Sequence, residues 1–224
     1  MVEKGQPWER PASGPAAWHV EGDDAALAAA VRDQPGARVG FRPDPSSDLA
    51  RALGIHASGL QGPDSASLEL GIDALRITTA DRALFAVNMV VVGTAPDRTG
   101  WFTGSPDLRI EVDGRVVHDG PATTVVVASG QYLRGQDVVP RGHPGDGRLE
   151  VQVYALRPAE RAGMRRRLAT GTHLPHPRIV ATTGRSVEVR AAGATMALTL
   201  DGVAAGRHTG VRASVRHPAL RLLI

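Results

Sequence analysis

Leu108-Arg109-Ile110-Glu111-Val112-Asp113-Gly114-Arg115-Val116-Val117-His118 sets an Asp-Gly pair between two runs of strand-forming residues. Strand-type residues flank Asp113-Gly114, and both members of an Asp-Gly pair accept positive φ, as a two-residue hairpin requires. The segment predicts two antiparallel strands. Segments of the same kind recur on either side: Leu68–Thr78, Ala83–Val92, Thr123–Ala128, Arg148–Ala155, Arg178–Thr182, Ser186–Ala191, Thr195–Leu200, Val211–Val215 and Leu220–Ile224. All are short and rich in Val, Ile or Thr, and most are bounded by Gly, Pro or Asp. Their spacing predicts an antiparallel sandwich or barrel over residues 68–224. One helix, from Pro158 to about Ala169, interrupts it.

Toward the N-terminus the pattern changes. Asp23-Asp24 precedes Ala25-Ala26-Leu27-Ala28-Ala29-Ala30-Val31, a helix whose opening carboxylates supply a cap and suit the dipole. Pro35-Gly36 ends it. Ala37–Phe41 is a strand candidate, Pro43–Ser47 a tight loop, and Ser46 or Ser47 a cap for a helix over Asp48–Leu53 that Gly54 closes. The expected class is α+β. A polar lead-in (1–17) is expected to be flexible, residues 18–67 form a truncated α/β layer with a Gly/Ser/Pro linker at 57–67, and residues 68–224 form the β-rich domain, whose last strand can return to the α/β part.

Composition removes several function classes. The chain has 224 residues and no cysteine, which excludes disulfides and thiolate chemistry. The net charge is only +3, with Lys4 the sole lysine, a balance that argues against nucleic acid as a partner. The start has no apolar core of the secretion-signal kind, and the longest apolar run, Ala86–Gly93, contains Asn88 and is too short to span a bilayer. A cytoplasmic protein is expected.

Four Asp-Gly pairs punctuate the β-rich part, at Asp113, Asp119, Asp146 and Asp201. Each is first explained as a turn; a carboxylate beside a close backbone approach could instead bind a metal or act as a base. Spacing does not choose among them. Arg157, Arg161, Arg165, Arg166 and Arg167 decorate the helix at 158–169, with Leu156, Met164 and Leu168 as its buried side. They read either as a solvated face, with Glu160 pairing Arg157 or Arg161, or as a contact for anionic lipid headgroups at a membrane surface. His143, His173 and His176 lack the spacing of a metal site and read as loop or core histidines.

From about His19 onward, the order of local motifs resembles the diacylglycerol-kinase type of lipid kinases. Val125–Tyr132 is similar to that family's strand ending in Asn-Gly. Gly145-Asp146-Gly147-Arg148-Leu149-Glu150-Val151 is similar to its Asp-Asp-Gly-x-Leu-Asp-Val, associated with magnesium, with Gly145 in place of the first aspartate. Gly171, His173 and Pro177 fit a Gly-x-His…Pro pattern, and Asn88 and Gly93 an early strand. Asp201-Gly202-Val203 falls on an Asp-Gly-Glu whose aspartate is the base for the lipid hydroxyl. The resemblance implies a nucleotide-binding α/β domain joined to a β-sandwich-like domain, with two further β/α units before the first loop. If the chain is active, it implies ATP and Mg as cofactors, with Asp201 as base and Asp146 as metal ligand.

The phosphate loops are altered. The family's Gly-Gly-Asp-Gly-Thr falls on Glu21-Gly22-Asp23-Asp24-Ala25, and its Gly-Thr-x-Asn-Asp on Asp44-Pro45-Ser46-Ser47-Asp48. Gly22, Asp23, Ser46, Ser47 and Asp48 are therefore the cofactor-binding candidates, in degenerate form. Carboxylates at Glu21, Asp24 and Asp44 stand where backbone N–H groups should approach phosphate oxygens, and Pro45 has no N–H to offer. The expectation is a lipid-kinase-like protein that no longer phosphorylates and acts by binding a ligand or partner. The alternatives are an active ATP- and Mg-dependent kinase, and a homodimer formed through an unpaired strand at Ala37–Phe41.

Overall fold

The computed structural model describes residues 9–55 and 68–223. Two sheets carry the chain. In one, the strand order is Glu9–Pro11, Leu68–Thr78, Gly210–Leu223, Ser186–Ala191, Asp107–Val112, Arg115–Pro121. In the other it is Ile179–Gly184, Leu149–Tyr154, Thr124–Ala128, Met89–Gly93, Met196–Leu200, Val203–His208. Inward residues alternate along the strands, as in Leu108, Ile110 and Val112, and they meet Val90, Val125, Val151 and Leu198 of the facing sheet in a dry core. The hairpin at Asp113-Gly114 forms with φ of 48° and 78° at the two turn residues. Asp113 also accepts from the Arg185 and Ser186 N–H groups, so its carboxylate pins the neighbouring strand.

The N-terminal part is a β-α-β unit. Trp18–Gly22 leads into helix α1 (Asp24–Asp33), and Arg38–Pro43 returns parallel to the first strand. Asp23 caps α1 through Ala26 N at 3.0 Å, and Leu27, Ala28, Ala30 and Val31 are buried. A short helix α2 (Asp48–Leu53) follows, capped by Ser47 and closed by Gly54 in the left-handed region. The long strand Gly210–Leu223 runs out of the sandwich and pairs Arg221, Leu222 and Leu223 with Arg38, Val39 and Gly40. The two parts thus share one continuous sheet.

Several expectations are corrected. The strand around Ala37–Phe41 has no free edge: it lies between Trp18–Gly22 and Gly210–Leu223, and the first of these, not predicted, takes the outer position. Part of the lead-in is ordered, because Glu9–Pro11 pairs with Leu68–Leu70; residues 1–8 and the whole linker at 57–67 lie outside the described residues. Asp119-Gly120 is no turn. It sits inside a strand opposite Arg109 and Leu108, and Asp119 pairs with Arg109 at 2.9 Å. Ala83–Val92 splits into Ala83–Ala86 in one sheet and Met89–Gly93 in the other.

The third helix, α3 (Pro158–Leu168), covers the second sheet with Met164 and Leu168, beside Leu156. Its arginines are not all solvated: Arg161 is buried and Arg165 reaches Thr99 O. Glu160 caps the helix through Arg157 N and pairs with Arg178 instead of Arg157 or Arg161 side chains. His173 is a core histidine beside Tyr154 and Gln152, and burial lowers its pKa.

Candidate functional site

The split at Val87-Asn88 builds the site. Where the chain leaves one sheet for the other, three successive N–H groups lack a ladder partner, and a buried N–H must find one. Asp201 supplies it. Its carboxylate accepts from Val87 N at 2.8 Å, Asn88 N at 3.1 Å and Met89 N at 2.8 Å. Asp201 occupies the hairpin between Met196–Leu200 and Val203–His208 with φ of 47°, a left-handed conformation that Asp tolerates in such turns. Burial and the nearby charge of Asp24 raise its pKa to about 7 against the pull of those three bonds.

Asn88 spans the gap to the α/β unit. Its Nδ2 donates to Asp24 Oδ2 at 2.9 Å and to Tyr132 O at 3.1 Å. Asp24 Oδ1 accepts from Ser47 Oγ at 2.6 Å, and both its oxygens lie within 3.2 Å of Leu49 N. Burial, reinforced by the Asp48 charge, lifts Asp24 to about 6 despite these bonds. Gly130 makes the arrangement possible: a Cβ there would stand 2.0 Å from Asn88 Oδ1.

A cleft of about 500 Å³ opens between the two parts, lined by Asp23, Asp24, Ser46, Asp48, Asn88 and Asp201 with Arg51, Arg98 and Arg134. Most of the predicted phosphate-loop residues thus meet Asp201 in one place, while Gly22 ends the strand just before Asp23 with φ of 129°. Several backbone donors in and beside the second loop are already used. Ser46 N goes to Asp44 at 2.6 Å, Leu49 N to Asp24, Ala50 N to Ser47 Oγ at 3.0 Å, and Gly135 N to Asp48 at 2.7 Å. Arg134 N also binds Asp48. Hydrogen bonds from Ser46 hold Asp44 below the usual carboxylate range.

Asp146 lies elsewhere. It lines a separate hollow with Gly147, Arg185, Val215 and His217, and its carboxylate accepts from Arg148 N at 2.9 Å. Nearby Asp73 is held by Gly147 N at 2.8 Å and His217 Nδ1 at 2.6 Å, and burial together with the Asp146 charge raises Glu150 to about 7. Among the described residues no three His, Cys, Asp or Glu side chains are grouped to hold a metal; a magnesium ion is commonly held by one or two carboxylates together with waters and substrate phosphates.

Sequence reasoning had placed Asn88 only by its fit to a strand and had not singled out Arg51, Arg98, Arg134 or Gly130. A polar residue inside the run Ala86–Gly93 was the available signal for Asn88.

A β-sandwich fused by one long strand to a β-α-β unit, with a cleft at their junction, is the architecture of the diacylglycerol-kinase-like proteins. The chain belongs to the family described as the YegS C-terminal NAD kinase beta sandwich-like domain, whose profile matches residues 66–224. Two solved structures from Bacillus anthracis str. Sterne, the first described as a "putative diacylglycerol kinase" and the second as a diacylglycerol kinase, share its fold. One superposes with a TM-score of 0.72 at 14% identity over 92% of this chain and 75% of that one. The other gives 0.68 at 16% identity over the same shares. No curated protein matches the chain in sequence. Among the described residues no helix is long and apolar enough to cross a membrane.

Proposed function

We propose that this member of the kinase family is a pseudokinase that transfers no phosphate and acts by binding a ligand or partner through its retained domain. One observation carries the reading: Asp24, Asp44 and Asp48 face the cleft or its second loop and already accept hydrogen bonds from backbone donors in and beside that loop. An ATP phosphate would have to displace these internal anions, and the two anions would repel each other in a partly dry cleft. The test is ATP binding by calorimetry with and without magnesium, alongside phosphate transfer to diacylglycerol. The expected result is no binding at millimolar ATP and no transfer. Transfer that disappears in Asp201→Asn would overturn the reading.

A second reading has its own support. Asp201, raised to about 7 and on the wall of the cleft, has the proton affinity of a general base working near neutrality. An active, divergent lipid kinase would use it to take the proton of a lipid hydroxyl. Magnesium-dependent ATP binding by the wild-type protein would favour this second reading.

A further inference from the structure

Among the described residues the most exposed large apolar side chains are Phe102 at 97% and Trp101 at 63%, adjacent on one turn. The turn is firmly held. Arg161, only 3% exposed, extends from α3 beneath it and donates from Nη1 to Gly100 O and Thr103 O, both at 2.8 Å, and from Nη2 to Ser105 Oγ at 2.9 Å. Arg165 adds a bond to Thr99 O, and Gly100 N donates to Thr103 Oγ1 at 2.7 Å. A buried guanidinium is costly to place, and this one is committed to the backbone of a turn that pushes two aromatic rings into water.

The unpaired charge beside this turn is basic. Arg98 precedes the tip and is exposed; Arg166 follows Arg165 about 100° further round α3 and is exposed too. Neither forms an ion pair among the described residues. The acids close by are engaged: Asp97 with Arg134, and Glu160 with Arg178. Two projecting rings with no other exposed large apolar side chain on the turn or on α3 are too small a patch for a stable protein interface, which needs roughly 800 Å² on each side. They suit a membrane interface, where Trp and Phe sit at headgroup depth and arginines meet lipid phosphates.

We infer that the Trp101-Phe102 tip, with Arg98 just before it and Arg165 bound to Thr99 at its base, is a docking point for an anionic lipid surface. It uses no residue pair of the Asp24–Asp201 centre and holds whether or not that cleft takes a nucleotide. The experiment is co-sedimentation with vesicles of phosphatidylcholine alone or mixed equally with phosphatidylglycerol. Wild-type protein is expected on the mixed vesicles, with binding that falls as salt is raised. The Trp101→Ser/Phe102→Ser variant, its fold checked by thermal melting, is expected to bind about tenfold more weakly or less. In a Trp8→Phe/Trp18→Phe background, where Trp101 is the only tryptophan, vesicle addition is expected to shift its emission to the blue. Failure to bind mixed vesicles, equal binding to phosphatidylcholine alone, or unchanged binding by the Ser variant would overturn the inference. So would self-association in solution that Phe102→Ser abolishes, since the tip would then belong to a protein contact.

Discussion

Asn88 donates its side-chain amide to Asp24 at 2.9 Å. That bond joins the β-α-β unit to the sandwich, and the backbone N–H of the same residue donates to Asp201 at 3.1 Å. Two carboxylates from opposite walls of the cleft are thus organised by one residue at the point where the chain changes sheets.

Removing that amide takes one of three hydrogen-bond partners from a buried carboxylate, leaving it Ser47 Oγ and Leu49 N. Asn88→Ala is expected to cost about 1–3 kcal/mol, read as a lower urea midpoint. Asn88→Asp is expected to cost more, because a third carboxylate then faces Asp24 and Asp201.

Asp201 and Asp24 make stability depend on pH. Their folded pKa values, about 7 and about 6, lie above the ordinary carboxylate value of 3.8. The unfolded chain loses these protons first, so their contribution is fully favourable below 3.8 and declines as pH rises through 6 and 7. Each such group contributes a slope of up to about 1.4 kcal/mol per pH unit. Unfolding free energy measured from pH 4 to 8 is expected to fall less steeply with pH in Asp201→Asn than in wild type. Parallel profiles would refute the assignment.

Arg161 anchors the turn it underlies. Arg161→Met keeps the apolar stem but leaves several carbonyls without a donor, and is expected to cost about 2–4 kcal/mol. Amide hydrogen exchange over residues 99–105 is expected to accelerate more than exchange elsewhere. Arg161→Lys is expected to rescue only part, since an ammonium cannot span the same acceptors.

Gly130 is required by its neighbour. In Gly130→Ala the new methyl would lie 2.0 Å from Asn88 Oδ1, so the Asn88 amide must move and loosen its hold on Asp24. The expected loss is about 1–3 kcal/mol, and it should be smaller in an Asn88→Ala background, as a double-mutant cycle would show.

Much of the local structure was legible because it depends on neighbours in sequence. Ser47 and Gly54 bracket α2 through bonds to residues three or four positions away, and Asp113-Gly114 turns because both positions take positive φ. Asp119-Gly120 has the same letters and no turn, since Leu108 and Arg109 pair across from it. Arg161 looked like its exposed neighbours Arg166 and Arg167; a run of arginines does not show which one has carbonyls waiting beneath it. Asp24 was visible as a carboxylate in place of a glycine, but not the partners its side chain would find.

Local pattern and residue type sufficed for the β-rich character of residues 68–224, for the capped helices α1 and α2, and for the resemblance to the diacylglycerol-kinase type of lipid kinases. Those features follow from periodicity, turn chemistry and residue type, which act over a few residues. Only the tertiary structure decided that Asp24, Asn88 and Asp201 form one centre while Asp146 stands apart, and that Trp101 and Phe102 are held outward. These groups are separated by long stretches of chain. What brings them together is the strand switch at Val87-Asn88 and the return of Gly210–Leu223 to the β-α-β unit, where unpaired N–H groups and carboxylates satisfy one another out of water.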